Sequence, residues 1–404
     1  MYQKRHVGLA VIVAVLLSYC ELLSANGGQK KKEESKKSRP ELVWQSGTVS
    51  RSEVPPPVIE DSSVYVVNGY ALAKLNLNNG ENRWVTELEG VAPDIYGDIL
   101  VDGQSIYLRF GESLKRYDKS DGALQWSVAF EDSIDRFKLP LATSLVSQSE
   151  EHVFVGTQKN VLVVNKQHGK VSRTIAPKVP VNEISDQRLN MALGSDLADR
   201  VYVLTSYRRQ KSTVRGKLSA YNCTDGSLLW EFEVPYELAG LPEISLPTMQ
   251  MANTSAFLLL MTGPAVLAVD AETGELAWEH LFYKNRTDIN IGGLLFKHNN
   301  NLYASEGNRI LKLDFQGQRK WETTIVSGFI ENLFVVEDQA YFATGILPGD
   351  TAIHSIDIES GELIFSFAAQ ESGLFEGFTS SFDANGTFIV NMGSRSIYGY
   401  KLTQ

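Results

Sequence analysis

The run Ala268-Val269-Asp270-Ala271-Glu272-Thr273-Gly274-Glu275-Leu276-Ala277-Trp278 decides how this chain folds. A β-prone stretch, Val266 to Val269, stops at Asp270. An Asx side chain bonds its own backbone two residues on, and a glycine four places later accepts the positive φ of a tight turn. The aromatic four places after that opens a second β-prone stretch. This is a strand, a turn and a strand.

The same pattern recurs along the chain, as Asn76-Gly80-Trp84, Asp118-Gly122-Trp126, Asn165-Gly169-Arg173, Asn222-Gly226-Trp230 and Asp357-Gly361-Phe365, with a one-residue-shorter turn in Asp314-Gly317-Trp321. Successive glycines lie 42 to 57 residues apart, the period of a propeller blade. Five of the six tryptophans occupy the same place in the repeat, which marks that place as a structural position. Short β-prone runs precede each turn, among them Val64 to Val67, Ile106 to Phe110 and Val161 to Val164. No sustained period of 3.6 residues accompanies them, so the chain reads as all-β.

The sixth tryptophan fixes the blade count. The last repeat has inner strands, Phe388 to Asn391 and Ile397 to Leu402, but the chain stops before any Gly or Trp. The first ordered run, Leu42-Val43-Trp44-Gln45, is an outer strand without inner ones. Joining the two makes an eighth blade from both termini and removes exposed sheet edges. The expectation is an eight-bladed β-propeller of four-stranded antiparallel blades over residues 41–404, monomeric, closed by pairing the N-terminal strand with the C-terminal blade.

The run 268–278 matches the docking motif A-x-D-x-x-T-G-x-x-x-W in full, and Ala220-Tyr221-Asn222-Cys223-Thr224-Asp225-Gly226-Ser227-Leu228-Leu229-Trp230 nearly so. The chain thus resembles the PQQ-like repeat propellers over about residues 42 to 402. The resemblance implies that Trp44, Trp84, Trp126, Trp230, Trp278, Trp321 and Phe365 stack between blades against Gly80, Gly122, Gly226, Gly274, Gly317 and Gly361. Two activities compete within such propellers. Quinoprotein dehydrogenases bind pyrroloquinoline quinone and calcium. A second branch consists of non-catalytic lipoproteins of outer-membrane barrel assembly.

Adjacent cysteines, which many of the dehydrogenases place beside the quinone, are missing: the cysteines are Cys20 and Cys223. The histidines, His6, His152, His168, His280, His298 and His354, show no metal-ligand spacing. The expectation is therefore a chain that is not an enzyme, with no catalytic, cofactor or metal residue assigned. The alternatives are a quinone-dependent dehydrogenase and a secreted ligand- or carbohydrate-binding propeller.

Residues 1–27 read as an export signal, with basic Lys4, Arg5 and His6 before an apolar run from Val7 to Leu17 that is too short to span a bilayer. Leu17-Ser18-Tyr19-Cys20 resembles a lipobox, which would lipidate Cys20. Cleavage after Gly27 is the rival ending. Residues 26–40, rich in Lys, Glu and Ser, form a solvated tether. Removing the first 41 residues leaves 30 Lys and Arg against 44 Asp and Glu, a body of about −14. Such a body repels phosphate backbones, so nucleic acid is not an expected partner.

Two insertions lengthen the fourth repeat, where loops on a rigid scaffold carry function. Pro180 to Asp196 holds Leu189 and Met191, and Tyr207 to Gly216 holds Arg208, Arg209, Lys211 and Arg215. They form the candidate interface for an acidic or strand-presenting envelope protein, such as a barrel-assembly component, with membrane contact only through the N-terminal lipid.

Overall fold

The computed structural model describes residues 40–402 except 48–54, 56, 69, 89–96, 111, 131–145, 158, 179–183, 196–199, 210–212, 236–248, 252–256, 263–264, 283–292, 326–328, 346–351, 369–380, 386 and 393–395. The expected signal, Cys20, nearly all of the tether, and Lys211 lie outside the described residues.

Regular structure among the described residues is entirely β, arranged as eight four-stranded antiparallel sheets. Seven blades are continuous in sequence: Val58–Glu87, Gly97–Ala129, Val146–Ile175, Ile184–Glu233, Met249–Leu281, Gly293–Thr324 and Phe329–Ala368. Within each, strand order follows the chain from inner to outer. The eighth sheet is composite. Its inner three strands, Ser381–Ala384, Phe388–Met392 and Ile397–Lys401, come from the C-terminus, and its outer strand is Glu41–Ser46. Glu41 pairs with Lys401, Trp44 with Gly399 and Ser46 with Ile397. Inner strands of neighbouring blades touch, including Val58–Glu60 against Ser381–Ala384, where the ring closes.

Inner runs such as Val64 to Val67 and Val161 to Val164 are buried on both faces, which is why they lack polar alternation. The apolar core accordingly lies in the interfaces between blades. One cluster joins Val64, Val66, Ala73 and Leu75 of blade one to Trp44, Phe388, Val390 and Ile397 of the composite blade. Another joins Tyr341 and Ile353 of blade seven to Ile389, Tyr398 and Tyr400 of the composite blade. The composite blade is therefore packed on both sides.

The turn chemistry is the one the sequence demands. Gly274 donates its N–H to the Asp270 carbonyl at 2.9 Å, and Asp270 Oδ1 accepts from the N–H groups of Glu272 and Thr273 at 2.9 and 2.8 Å. Those bonds hold the Asp270 carboxyl below its ordinary pKa. In the shorter turn Gly317 bonds to Asp314, three residues back, at 3.0 Å.

Just past each turn the register slips by one residue, between Lys74 and Leu75 in blade one and between Ala268 and Val269 in blade five. The bulged residue directly precedes the aromatic. A bulge bends and twists its strand, and here it re-aims the indole from its own sheet toward the next blade.

Candidate functional site

The repeated aromatics occupy one kind of site, and it is structural. Trp84 Nε1 donates to the carbonyl of Lys119, the residue after Asp118 in the next blade's turn, at 3.3 Å. Trp126 does the same to Lys166 at 3.0 Å, Trp230 to Ala271 at 3.2 Å, Trp278 to Phe315 at 2.8 Å and Trp321 to Ile358 at 3.0 Å. Across the closing seam Trp44 donates to Leu77 at 2.6 Å. The turn glycine must be bare because the indole lies against it: a Cβ on Gly274 would fall 2.6 Å from Trp230, and φ there is +77°.

Cations on the third strands share the same acceptor. Lys74 reaches the Lys119 carbonyl at 3.1 Å, Arg116 that of Lys166 at 2.8 Å and Lys312 that of Ile358 at 2.9 Å. Lys74 and Lys312 also stand over the rings of Tyr65 and Tyr303. Burial, with a smaller push from Glu60, raises the Tyr65 hydroxyl to about 12, so it stays neutral.

Phe365 differs from the rest. Blade eight has no turn for it to meet, because its third and outer strands come from opposite chain ends. Phe365 keeps the contact with its own blade's tyrosine, Tyr341, that Trp84 makes with Tyr65, and adds Phe367, which lies 5.0 Å from Tyr400.

Blade four departs from the repeat at the end where its second and third strands join. Its first three strands, Ile184–Ser195, Arg200–Arg209 and Thr213–Asn222, run 12, 10 and 10 residues, against 6 for its outer strand Leu228–Glu233. The segments read as insertions are thus largely strand, because their alternation pairs with the neighbours rather than standing free. Beyond the core the register places Tyr207 between Arg188 and Arg215, Arg208 between Ile184 and Val214, and Arg209 opposite Thr213. Leu189 lies opposite Ser206, in the overhang, whereas Met191 lies opposite the buried core residue Leu204.

Paired residues share a face of a sheet, so Arg188 joins Arg215 and Arg209 on one face. Arg188 belongs to the site although sequence spacing did not single it out; only the register, slipped between Ile184 and Arg188, brings it there. At the base of the overhang Lys217, almost fully buried, pairs with Glu231 of the outer strand at 2.7 Å. That pair anchors the extension to the blade below it.

Repeat, ring and docking pattern together define a PQQ-like repeat propeller. A family model described as outer membrane protein assembly factor BamB matches residues 38–210, 183–289 and 265–403. The chain belongs to that family, PQQ_2. No curated protein matches it.

Among similar solved structures is the quinohemoprotein alcohol dehydrogenase ADHIIG from Pseudomonas putida HK5, at TM-score 0.62 and 11% identity, covering 93% of this chain and 78% of that one. The dihydro-heme d1 dehydrogenase NirN, in complex with DHE, gives 0.60 and 11%, with the same coverage. The quinohemoprotein alcohol dehydrogenase from Comamonas testosteroni gives 0.59 and 11%, covering 90% and 76%. At this identity the likeness is one of fold.

These structures correct the expectation that the chain is not an enzyme. Three dehydrogenases share its fold over most of their length, so the fold does not set it apart from catalytic propellers. A resident quinone and calcium ion is a separate question. Among the described residues no three His, Cys, Asp or Glu side chains stand together so as to hold a metal ion. That leaves no carboxylate and imidazole set for a calcium ion among the described residues.

Proposed function

We propose that this chain is an exported cell-envelope propeller that binds another envelope protein, in outer-membrane protein assembly, through the overhang of blade four. The observation that carries the reading is the overhang itself: three strands outrun the rest of the repeat and set Arg188, Arg209 and Arg215 in register on a body of about −14. Arginines so placed on a rigid sheet suit an acidic partner, because they need little ordering on binding. The family match, whose description names an assembly factor, supports the role. In this reading the signal at 1–27 exports the chain, Cys20 carries the lipid and residues 26–40 are the tether. Mass spectrometry of the mature N-terminus tests that part.

The test of the interface is quantitative binding of the full chain to the barrel-assembly proteins of its own organism. Reversing Arg188, Arg209 and Arg215 to Glu abolishes binding if the overhang is the contact. Unchanged affinity dismisses the site.

A second reading, quinone-dependent dehydrogenase, is favoured by the three dehydrogenases of the same fold. Titration with pyrroloquinoline quinone and calcium, followed by absorbance and by dye-linked alcohol oxidation, decides for or against it.

A further inference from the structure

The overhang of blade four has two unlike faces. Val201 and Val203 pack with Phe154, Val161 and Val163 of blade three, whereas Tyr202, Leu204 and Leu218 pack with Leu258, Leu260 and Leu267 of blade five. Successive residues of a strand alternate between faces. The strand Arg200–Arg209 pairs with Thr213–Asn222 without a slip, so Tyr207 and Arg209 lie on the side of blade three. Arg188 and Arg215, both opposite Tyr207, lie there too. Leu189, Arg208 and Val214 fall on the side of blade five.

Blade three stops short of this wall. Its second and third strands join at Thr157 to Asn160, level with Thr205 and Lys217 when both blades are counted five residues from the paired ends His152–Asn165 and Arg200–Asn222. The hairpin is braced: Thr157 Oγ1 donates to the Asn160 carbonyl at 2.8 Å and accepts the Asn160 N–H at 2.9 Å. From blade two, buried Arg109 donates to the Gly156 carbonyl. Lys159 stands exposed at the hairpin tip. Hairpin and overhang thus make a step, with Lys159 on its floor and Arg188, Arg209 and Arg215 on its wall. Residues 184–189 and 205–216 hold five Lys and Arg against one acidic residue, Asp186, in the stretch where the register slips.

We propose that this step seats one acidic segment of the partner in extended form, with Lys159 as a further contact and Arg208 outside it. Given the overhang as the contact surface, the face toward blade three does the binding. Packed sheets stand about 10 Å apart, which leaves a ledge one extended chain wide. Strands of the wall lie about 4.8 Å apart, setting Arg188 and Arg215 roughly 10 Å from each other across Tyr207. Alternate side chains of an extended segment recur at about 7 Å, so acidic residues at every second position engage wall and floor together. The braced hairpin and the paired strands need little ordering. On a body of about −14, such a segment is repelled elsewhere.

A fluorescein-labelled decaglutamate peptide, titrated with the full chain at low ionic strength and followed by anisotropy, tests the step. The parent binds it, and Lys159→Glu weakens binding about fivefold. Arg208→Glu, on the other face, leaves binding within about twofold, as does Lys170→Glu, an exposed position beside the docking turn of blade three. A parent that does not bind, an unchanged Lys159→Glu, or an equal loss in Arg208→Glu or Lys170→Glu overturns the step. Binding of the barrel-assembly proteins separates this site from the overhang as a whole. If reversal of Arg188, Arg209 and Arg215 abolishes that binding while Lys159→Glu leaves it unchanged, the overhang stands as the contact and the step falls.

Discussion

Arg173 takes at Gly226 the place that tryptophan takes at the other turn glycines. Its Cδ lies 3.0 Å from where a Cβ on Gly226 would stand, and Nη1 donates to the Asp225 carbonyl at 3.1 Å. Nη2 donates to the Thr224 carbonyl. A guanidinium is planar and stacks as an indole does, while offering more donors. It therefore reaches further round the turn than an indole, which bonds only the carbonyl after the Asx residue.

Arg173→Ala should lower stability by about 1–2 kcal/mol, through lost packing and two lost hydrogen bonds. Arg173→Trp, which restores the common residue, should stay within about 1 kcal/mol of the parent. Urea unfolding of both variants checks the pair. An alanine variant as stable as the parent would show that the seam between blades three and four does not rest on this contact.

Glu337 adopts φ of +53° in the hairpin between the first two strands of blade seven, where blade two has Gly103 at the same φ. A left-handed conformation costs a side chain with a Cβ roughly 1–2 kcal/mol, and glycine escapes it. Glu337→Gly should raise stability by about 1 kcal/mol, visible as a higher melting temperature.

His354 is buried in blade seven, stacked on Phe342 at 5.0 Å and bonded through Nε2 to Thr344 Oγ1 at 2.7 Å. Burial lowers its pKa to about 4, from an unfolded value near 6.5. The unfolded chain then takes up the proton first, so this contribution is intact above pH 6.5 and declines until about pH 4. The loss amounts to about 3 kcal/mol. His354→Gln should lose the acid-side decline, and stability curves of parent and variant that run parallel from pH 7 to 4 would refute the assignment.

Gly399 and Trp44 face each other across the terminal strands, and a methyl on Gly399 would run into the indole. Trp44 is also buried, at 6% exposure, whereas the other docking tryptophans are only partly so. Trp44→Ala should therefore cost more than Trp84→Ala, about 3–5 kcal/mol. Gly399→Ala should destabilise comparably by overpacking. Calorimetry of the three variants ranks them.

The repeat made the ring legible because one position, Trp44 to Trp321, carries the same burden in blade after blade, and turn chemistry is local. Closure was legible because the chain ends supply complementary parts of one blade. Arg188 was not, since membership of the overhang depends on a register slip that no linear spacing encodes. The bulge before each aromatic and the carbonyl shared by Trp84 and Lys74 stayed hidden for a similar reason: they arise from pairing between strands and blades. Lys159 gave no signal because its place beside the overhang comes from the packing of blade three on blade four. Excluding catalysis from missing motifs was unsound, since a channel can gather groups from several blades.

Carbodiimide coupling tests ring closure most directly, because Glu41 and Lys401 are exposed and opposite in register. Zero-length coupling of the full chain, followed by peptide mass spectrometry, should yield a Glu41–Lys401 isopeptide within single molecules. Recovery of both peptides unlinked, or Glu41 coupled only to lysines of other blades, would contradict the closed ring.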